Sequence, residues 1–384
     1  MEKTEFKALI VVTLAEIGGA QMSVLNLSRE LKRRGMDVTV GFGEGEFLFD
    51  ECRKHKIPTK RFKSLSRSWS VGKNLRFALE LRRFLKENRF DVVHVNSSNA
   101  LVGALSTFLL KGRPRVVFTY RGLSFLGDSY KTPRVKKFFI RLLFRFLVLF
   151  VDREVFVSNE NFQNAKRMGL GKKGKVVYNG LPMMELSFLE KNSAVDELEL
   201  ACGALLKGKL IVGSIGRLAY QKNYEFLIKN WKEVKRIVPE AVCVVIGDGP
   251  DRGALERLIE KEGVGESFFL AGEYPHAGRL IKGFDVFVLP SRYEGLSITT
   301  LEALFAGVPM LISKTGGNNE VVSNFDPFLF GVDESEEFKE KLASLLTEEE
   351  WKEEAHELSR RESYRFSIFS TANGYEAVYK NGEK

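Results

Sequence analysis

Short runs of valine, isoleucine, leucine and phenylalanine recur along almost the whole chain, each closed by a turn signal and followed by a segment with helical spacing. Apolar runs of this kind, without polar alternation, belong to strands buried on both faces, the state of a parallel sheet covered by helices. Residues 7–14, 38–41, 91–95, 115–120, 155–158 and 175–178 read as strands in the first half, and residues 209–215, 242–246, 268–271, 284–290 and 308–312 in the second. Helical periods cover residues 21–34, 76–88, 100–110, 133–150, 224–237 and 254–262, and the chain from 337 onward. The fold class is therefore α/β, and 384 residues with 44% hydrophobic content suit two domains.

In open α/β sheets ligands sit beyond the carboxyl ends of the strands. Three strand ends carry chemistry there. After residues 284–290 come Arg292, Tyr293, Glu294, Gly295 and Leu296, then a helix starting near Ser297 and Ile298. A helix start offers unpaired N–H groups and a partial positive charge, and Gly295 lets a ligand approach, so a diphosphate fits. Glu294 and Glu302, before and inside that helix, could touch one ligand with its phosphates between them; alternatively Thr299 and Glu302 form a capping box, in which Glu302 only returns to a backbone N–H. After residues 209–215, Gly216 opens a basic loop holding Arg217 and Lys222, two cations able to neutralise a leaving diphosphate without a metal. After residues 7–14, Gly18 and Gly19 form a glycine turn that lacks the G-x-G-x-x-G of dinucleotide folds.

Other chemistries find little support. Cys52, Cys202 and Cys243 are scattered and odd in number, four histidines show no metal spacing, and no D-x-D occurs. No metal site and no cofactor is expected. The first thirty residues lack a signal-peptide pattern and no run of 18 apolar residues appears, so a cytoplasmic protein is expected.

Charge is uneven. Residues 1–190 carry 35 Lys and Arg against 18 Asp and Glu, a net of +17, and the remainder has a net of −8. Residues 51–150, with 23 basic and 5 acidic side chains, suggest attraction to a phosphorylated polymer or an anionic membrane surface. Within them residues 133–150 place Lys137, Arg141 and Arg145 on one helical face, with Phe138, Leu142 and Phe146 beside it, the pattern of a helix lying in an interface or of a core helix with one wet face. A peripheral position on the inner face of the cell membrane is the corresponding expectation.

Glu294-x7-Glu302, followed by Ala306-Gly307-Val308-Pro309 and Gly316-Gly317, and preceded by Gly216-Arg217-Leu218-x3-Lys222, resembles the donor site of retaining glycosyltransferases of GT-B architecture, the large family (glycosyltransferase family 4-like, group 1) of bacterial and plant sugar transferases. The resemblance implies two Rossmann-like domains facing each other across a cleft. It implies an acceptor-binding domain over residues 1–182, a linker over 183–208, a donor domain over 209–365 and a terminal helix over 366–384 crossing back. Glu294 would contact hydroxyls of the transferred sugar and Glu302 the ribose. Gly18 and Gly19 would face donor phosphates, the backbone near Gly272 and Tyr274 would meet the base, and Asn179 lies in a similar Asn-Gly turn where the chain changes domain. Relatives commonly carry a histidine that contacts the sugar where this chain has Arg121, and an arginine cannot act as an acid or base there. The implied partners are a nucleotide-sugar donor and a glycan or lipid-linked acceptor, with no nucleic acid. The rivals are a noncatalytic protein of the same fold that binds a glycan or a membrane, and an epimerase or phosphorylase.

Overall fold

The computed structural model describes residues 6–67, 70–123 and 133–380. The chain divides into two compact units, Met1–Pro182 with Arg365–Lys384, and Met183–Tyr364.

The first unit contains β1 (Lys7–Leu14), β2 (Asp37–Glu44), β3 (Thr59–Arg61), β4 (Val92–Asn96), β5 (Arg115–Tyr120), β6 (Arg153–Phe156) and β7 (Gly174–Val176). They form one sheet in the order β3-β2-β1-β4-β5-β6-β7, all parallel. The side-chain period of two explains why β1 reads as a continuous apolar run: Leu9 and Val11 enter one core while Ala8, Ile10 and Val12 enter the other. The second of these cores is closed by helices Gly19–Arg33 and Ile368–Lys380, the latter contributing Ala372, Tyr375, Val378 and Tyr379.

The second unit contains β8 (Leu210–Ile215), β9 (Ala241–Ile246), β10 (Phe268–Gly272), β11 (Val286–Leu289), β12 (Met310–Ser313) and β13 (Leu329–Phe330), in the parallel order β10-β9-β8-β11-β12-β13. In both sheets the strand order reverses once, between β1 and β4 and between β8 and β11. Crevices open at the carboxyl ends of strands beside such reversals.

Three expectations change. Residues 100–110 form a 3₁₀ segment, Ala100–Thr107, whose hydroxyls on Ser106 and Thr107 bond the carbonyls of Gly103 and Ala104. Residues 183–208 are not simply a linker. Helix Lys191–Cys202 buries Ala194, Val195 and Leu198, its Leu198 and Ala194 pack over Gly283, and Lys191 pairs with Asp285 at 2.5 Å, all within the second unit. Helix Arg134–Leu147 departs from one of its two expected readings, the core helix whose wet face carries the cations: Lys137 is buried and Arg141 half-buried, whereas Phe138, Phe139, Leu142 and Phe146 are exposed.

Candidate functional site

The reversal of the second sheet brings together the loop after β8 and the loop after β11. Lys222 Nζ donates to Glu294 Oε1 at 2.7 Å, Ser291 Oγ donates to the same oxygen at 2.8 Å, and Gln221 Nε2 lies 3.4 Å from Oε2. Both partners of the ion pair are mostly buried, with 14% and 7% of their side chains exposed, so each charge depends on the other. Backbone bonds hold the loops in place: Arg292 N donates to Gln221 O at 2.8 Å, the Arg292 guanidinium bonds Tyr220 O and lies over the Tyr220 ring, and Ser313 Oγ fixes Ser291 O.

Glycines bring further backbone close. A Cβ on Gly316, whose φ is +56°, would lie 2.1 Å from Glu294 O, so only glycine lets this turn press on the acidic loop. Gly247 has φ +144°, and a Cβ there would lie 2.1 Å from Gly216 O. Gly216, the residue after β8, thereby lies against the residue that follows β9, and Arg217 comes next with an exposed side chain.

Helix Ile298–Ala306 starts beside Glu294 with Ser297 at its N-cap and no side chain capping it. Leu296 and Ile298 point into the core, so only their backbones, with those of Gly295 and Ser297, are placed to meet a ligand. The capping box does not form: Thr299 lies inside the helix, its Oγ1 3.0 Å from Ser297 Oγ, and Glu302 makes no hydrogen bond among the described residues. The Glu302 carboxylate instead lies over Gly278, 2.5–2.7 Å from where a Cβ would be, and burial pushes its pKa up to about 7. A carboxylate so placed, with its acceptors unspent, suits a pair of ligand hydroxyls. Gly272 ends β10 and accepts from Gly247 N at 2.7 Å, while the Tyr274 hydroxyl is held by Glu197, which Arg279 also bonds. The Tyr274 side chain is thus fixed within its own unit.

In the first unit, Gly18 and Gly19 stand at the start of helix Gly19–Arg33, in the loop that follows β1, and a side chain at Gly18 would meet only the flexible end of Gln21. Packing does not demand glycine there. At the carboxyl end of β5, Arg121 donates to Asn179 Oδ1 at 2.5 Å and to Asn96 Oδ1 at 2.7 Å, so the two residues expected from the sequence, Arg121 and Asn179, are in contact.

Residues 202–362 match the family model for glycosyl transferases group 1, and residues 17–183 match that for glycosyltransferase family 4. The chain belongs to these glycosyltransferases. An Escherichia coli UDP-Gal:alpha-D-GlcNAc-diphosphoundecaprenol alpha-1,3-galactosyltransferase is 27% identical over 78% of this chain and 76% of its own length. A Staphylococcus aureus capsular polysaccharide biosynthesis glycosyltransferase, CapM, is 25% identical over 91% of each chain. The GT-B fold is shown by solved structures such as Anabaena Alr3699/HepE in complex with UDP and glucose, with a TM-score of 0.82 and 20% identity over 98% of this chain and 100% of that one.

Sequence reasoning missed Ser291, Gln221 and Asn96 in this glycosyltransferase. Ser291 sits three residues before Glu294 and Asn96 is the polar last residue of an apolar strand, and each could have been suspected on position. Gln221 carries no local signal, because it reaches Glu294 across 73 residues.

The raised pKa of Glu302 gives a test in two directions. Its folded value lies above the 4.5 of an unfolded carboxyl, so the folded state binds the proton more tightly and stability falls as pH rises from about 4.5 through about 7. Glu302→Gln removes that loss. The variant is expected to be more stable than the parent by about 1–3 kcal/mol above pH ~8 and equal to it below pH ~4.5, where the parent's Glu302 is itself neutral, while binding nucleotide more weakly at the higher pH. Urea unfolding and calorimetric titration with UDP at the two pH values check this, and a variant less stable at high pH contradicts it.

Proposed function

We propose that this glycosyltransferase moves a sugar, with retention of anomeric configuration and without a metal, from a nucleotide-diphosphate sugar to a glycan or lipid-linked acceptor in cell-surface polysaccharide or glycolipid assembly. The observation that carries the reading is the Lys222–Glu294–Ser291 cluster beside the strand reversal of the second unit. The named activities of the relatives agree with it: the name of the E. coli protein gives a UDP-galactose donor and a diphosphoundecaprenol-linked acceptor.

An ammonium has three N–H donors, and Glu294 takes one of those on Lys222, which leaves two for phosphate oxygens. Lys222, the exposed Arg217 and the amides from Gly295 to Ile298 supply positive charge where the diphosphate leaves. Glu294, with Oε1 already accepting from both Lys222 and Ser291, is engaged as a hydroxyl and charge partner and is a poor nucleophile. As the bond from the anomeric carbon to the diphosphate breaks, a β-phosphate oxygen accepts the proton of the acceptor hydroxyl, whose oxygen bonds the same face of that carbon. The cations carry the charge that a divalent ion would otherwise carry, so EDTA is expected to leave the rate of UDP release from UDP-hexoses plus acceptor unchanged. Loss of activity with chelator and its return with Mn²⁺ would refute the metal-free part.

The same reading places the protein on an anionic bilayer through its first unit. No helix among the described residues is long and apolar enough to cross a membrane. Helix Arg134–Leu147 and the turn after it instead expose Val135, Phe138, Phe139, Leu142, Phe146 and Leu149, each at least half exposed, beside the exposed Arg134, Lys136 and Arg145. Aromatic side chains flanked by cations fit the boundary between headgroups and acyl chains. The surrounding residues 51–150 carry a net charge of +18, which attracts anionic lipid and repels a second copy of the same surface. Sedimentation with anionic vesicles is expected at low salt and to fall at high salt, and Phe138→Ser with Phe139→Ser is expected to abolish it. Equal pelleting with neutral and anionic vesicles discards the electrostatic contribution, and a double variant that still pellets discards the aromatic one.

A further inference from the structure

Arg121 combines two features that a structural arginine rarely shows together. Its guanidinium is drawn into the first unit, its Nε buried, yet among the described residues no carboxylate pairs with it: its hydrogen bonds go to the neutral side-chain oxygens of Asn96 and Asn179. Neutral acceptors fix the orientation of a cation without cancelling its charge, and an uncancelled charge out of water costs free energy.

The neighbours do not supply the missing negative charge. His94 lies between Thr119 Oγ1 at 2.6 Å and the Tyr379 hydroxyl at 2.7 Å, and the Tyr375 hydroxyl lies 3.0 Å from Thr119 Oγ1. Burial holds His94 well below its ordinary pKa and Tyr375 and Tyr379 above theirs, so all three are uncharged near neutral pH. The donors around Arg121 are also in excess. Among the described residues, two of its five N–H groups are spent on the asparagines, its own Nε–H has no acceptor, and Nδ2 of the fully buried Asn96 has none either. These donor dipoles add to the positive potential of the site.

Such a constellation is a cation oriented and left open for a ligand that brings the counter-charge. The Arg121 side chain remains partly exposed at the carboxyl end of β5, where an α/β sheet receives its ligands. We propose that Arg121, aimed by Asn96 and Asn179, is a specificity-determining residue that binds an oxyanion, a carboxylate or phosphate substituent, on the sugar substrate. This deepens the glycosyltransferase reading and rests on it. Planar guanidinium and oxyanion match through paired, charge-assisted hydrogen bonds, which a neutral hydroxymethyl group cannot provide.

The test uses the full chain and three probes at matched ionic strength: methyl glucuronide, inorganic phosphate and methyl glucoside. Binding is read from the Nε–H resonance of Arg121, assigned by its loss in Arg121→Gln, and from thermal unfolding. The glucuronide or phosphate is expected to shift that resonance and raise the melting temperature of the parent, with affinity at least about tenfold above that of the glucoside. A response to the glucuronide alone assigns a carboxylate, and one to phosphate alone assigns a phosphate. Arg121→Gln is expected to lose the anion response while melting no lower than the parent, because it removes a cation without a counter-ion; Arg121→Lys keeps part of the response. If the glucoside binds as well as the anions, if no probe shifts the resonance, or if Arg121→Gln keeps the anion response or melts well below the parent, the proposal is overturned. UDP titration separates the two levels: a chain that binds UDP without discriminating anions refutes this inference alone, whereas a chain that binds no UDP refutes the donor reading.

Discussion

Lys222→Ala is expected to lower kcat/KM by about 10² to 10³ and to destabilise the fold at the same time. In the proposed transfer the ammonium neutralises the departing diphosphate, so its loss raises the barrier. It is also the ion-pair partner of a Glu294 side chain that is only 7% exposed, and removing one partner of a buried pair leaves a charge without compensation. That second effect amounts to about 3–5 kcal/mol in comparable pairs. Arg217→Ala offers the contrast, because Arg217 is exposed: a similar loss of kcat/KM is expected with little change in stability. Steady-state kinetics and thermal unfolding of the two variants check this. A Lys222→Ala protein with the parental melting temperature and parental kcat/KM contradicts the role given to the pair.

Glu294→Gln is the second large effect, and it separates binding from chemistry. The amide keeps the shape of the side chain, and its carbonyl oxygen can still accept from Ser291 and Lys222. UDP affinity is therefore expected to persist, in a folded protein made less stable by the loss of the charge opposite the mostly buried Lys222. Transfer is expected to fall by about 10² to 10³, since the negative charge that balances the developing positive charge on the sugar is gone. Loss of UDP binding in parallel with transfer would instead mark Glu294 as a structural member of the loop.

What was legible in the chain before its structure follows from how local each cause is. Residues 115–120 and 224–237 read correctly to the residue, because a strand buried on both faces and an amphipathic helix each declare themselves within one window. The loops Gly216–Lys222 and Arg292–Ser297 were legible for the same reason, as polar residues following apolar strands, and Lys222 and Glu294 from them do come together. What failed was non-local. The spacing in helix Arg134–Leu147 gives two faces but not which of them meets the sheet, and the structure buries Lys137 while exposing Phe138 and Phe139. Thr299 and Glu302 satisfy the capping pattern, yet the helix starts at Ser297, as the sequence already indicated, so Thr299 falls inside it and no box forms. Ala194, Val195 and Leu198 are too few to announce a helix until Gly283 supplies the surface they pack on. The pairing of Lys222 with Glu294 spans 72 residues and depends on the strand order, β8 beside β11, which no local pattern records.

Retention without a covalent intermediate is the central claim, and the anomeric configuration of the product tests it most directly. An α-linked UDP-hexose and an acceptor are incubated with the protein, the product linkage is read by NMR, and the protein is analysed by mass spectrometry for a trapped sugar. An α-linked product with unmodified Glu294 is the expected result; a β-linked product, or a glycosyl adduct on Glu294, would contradict it.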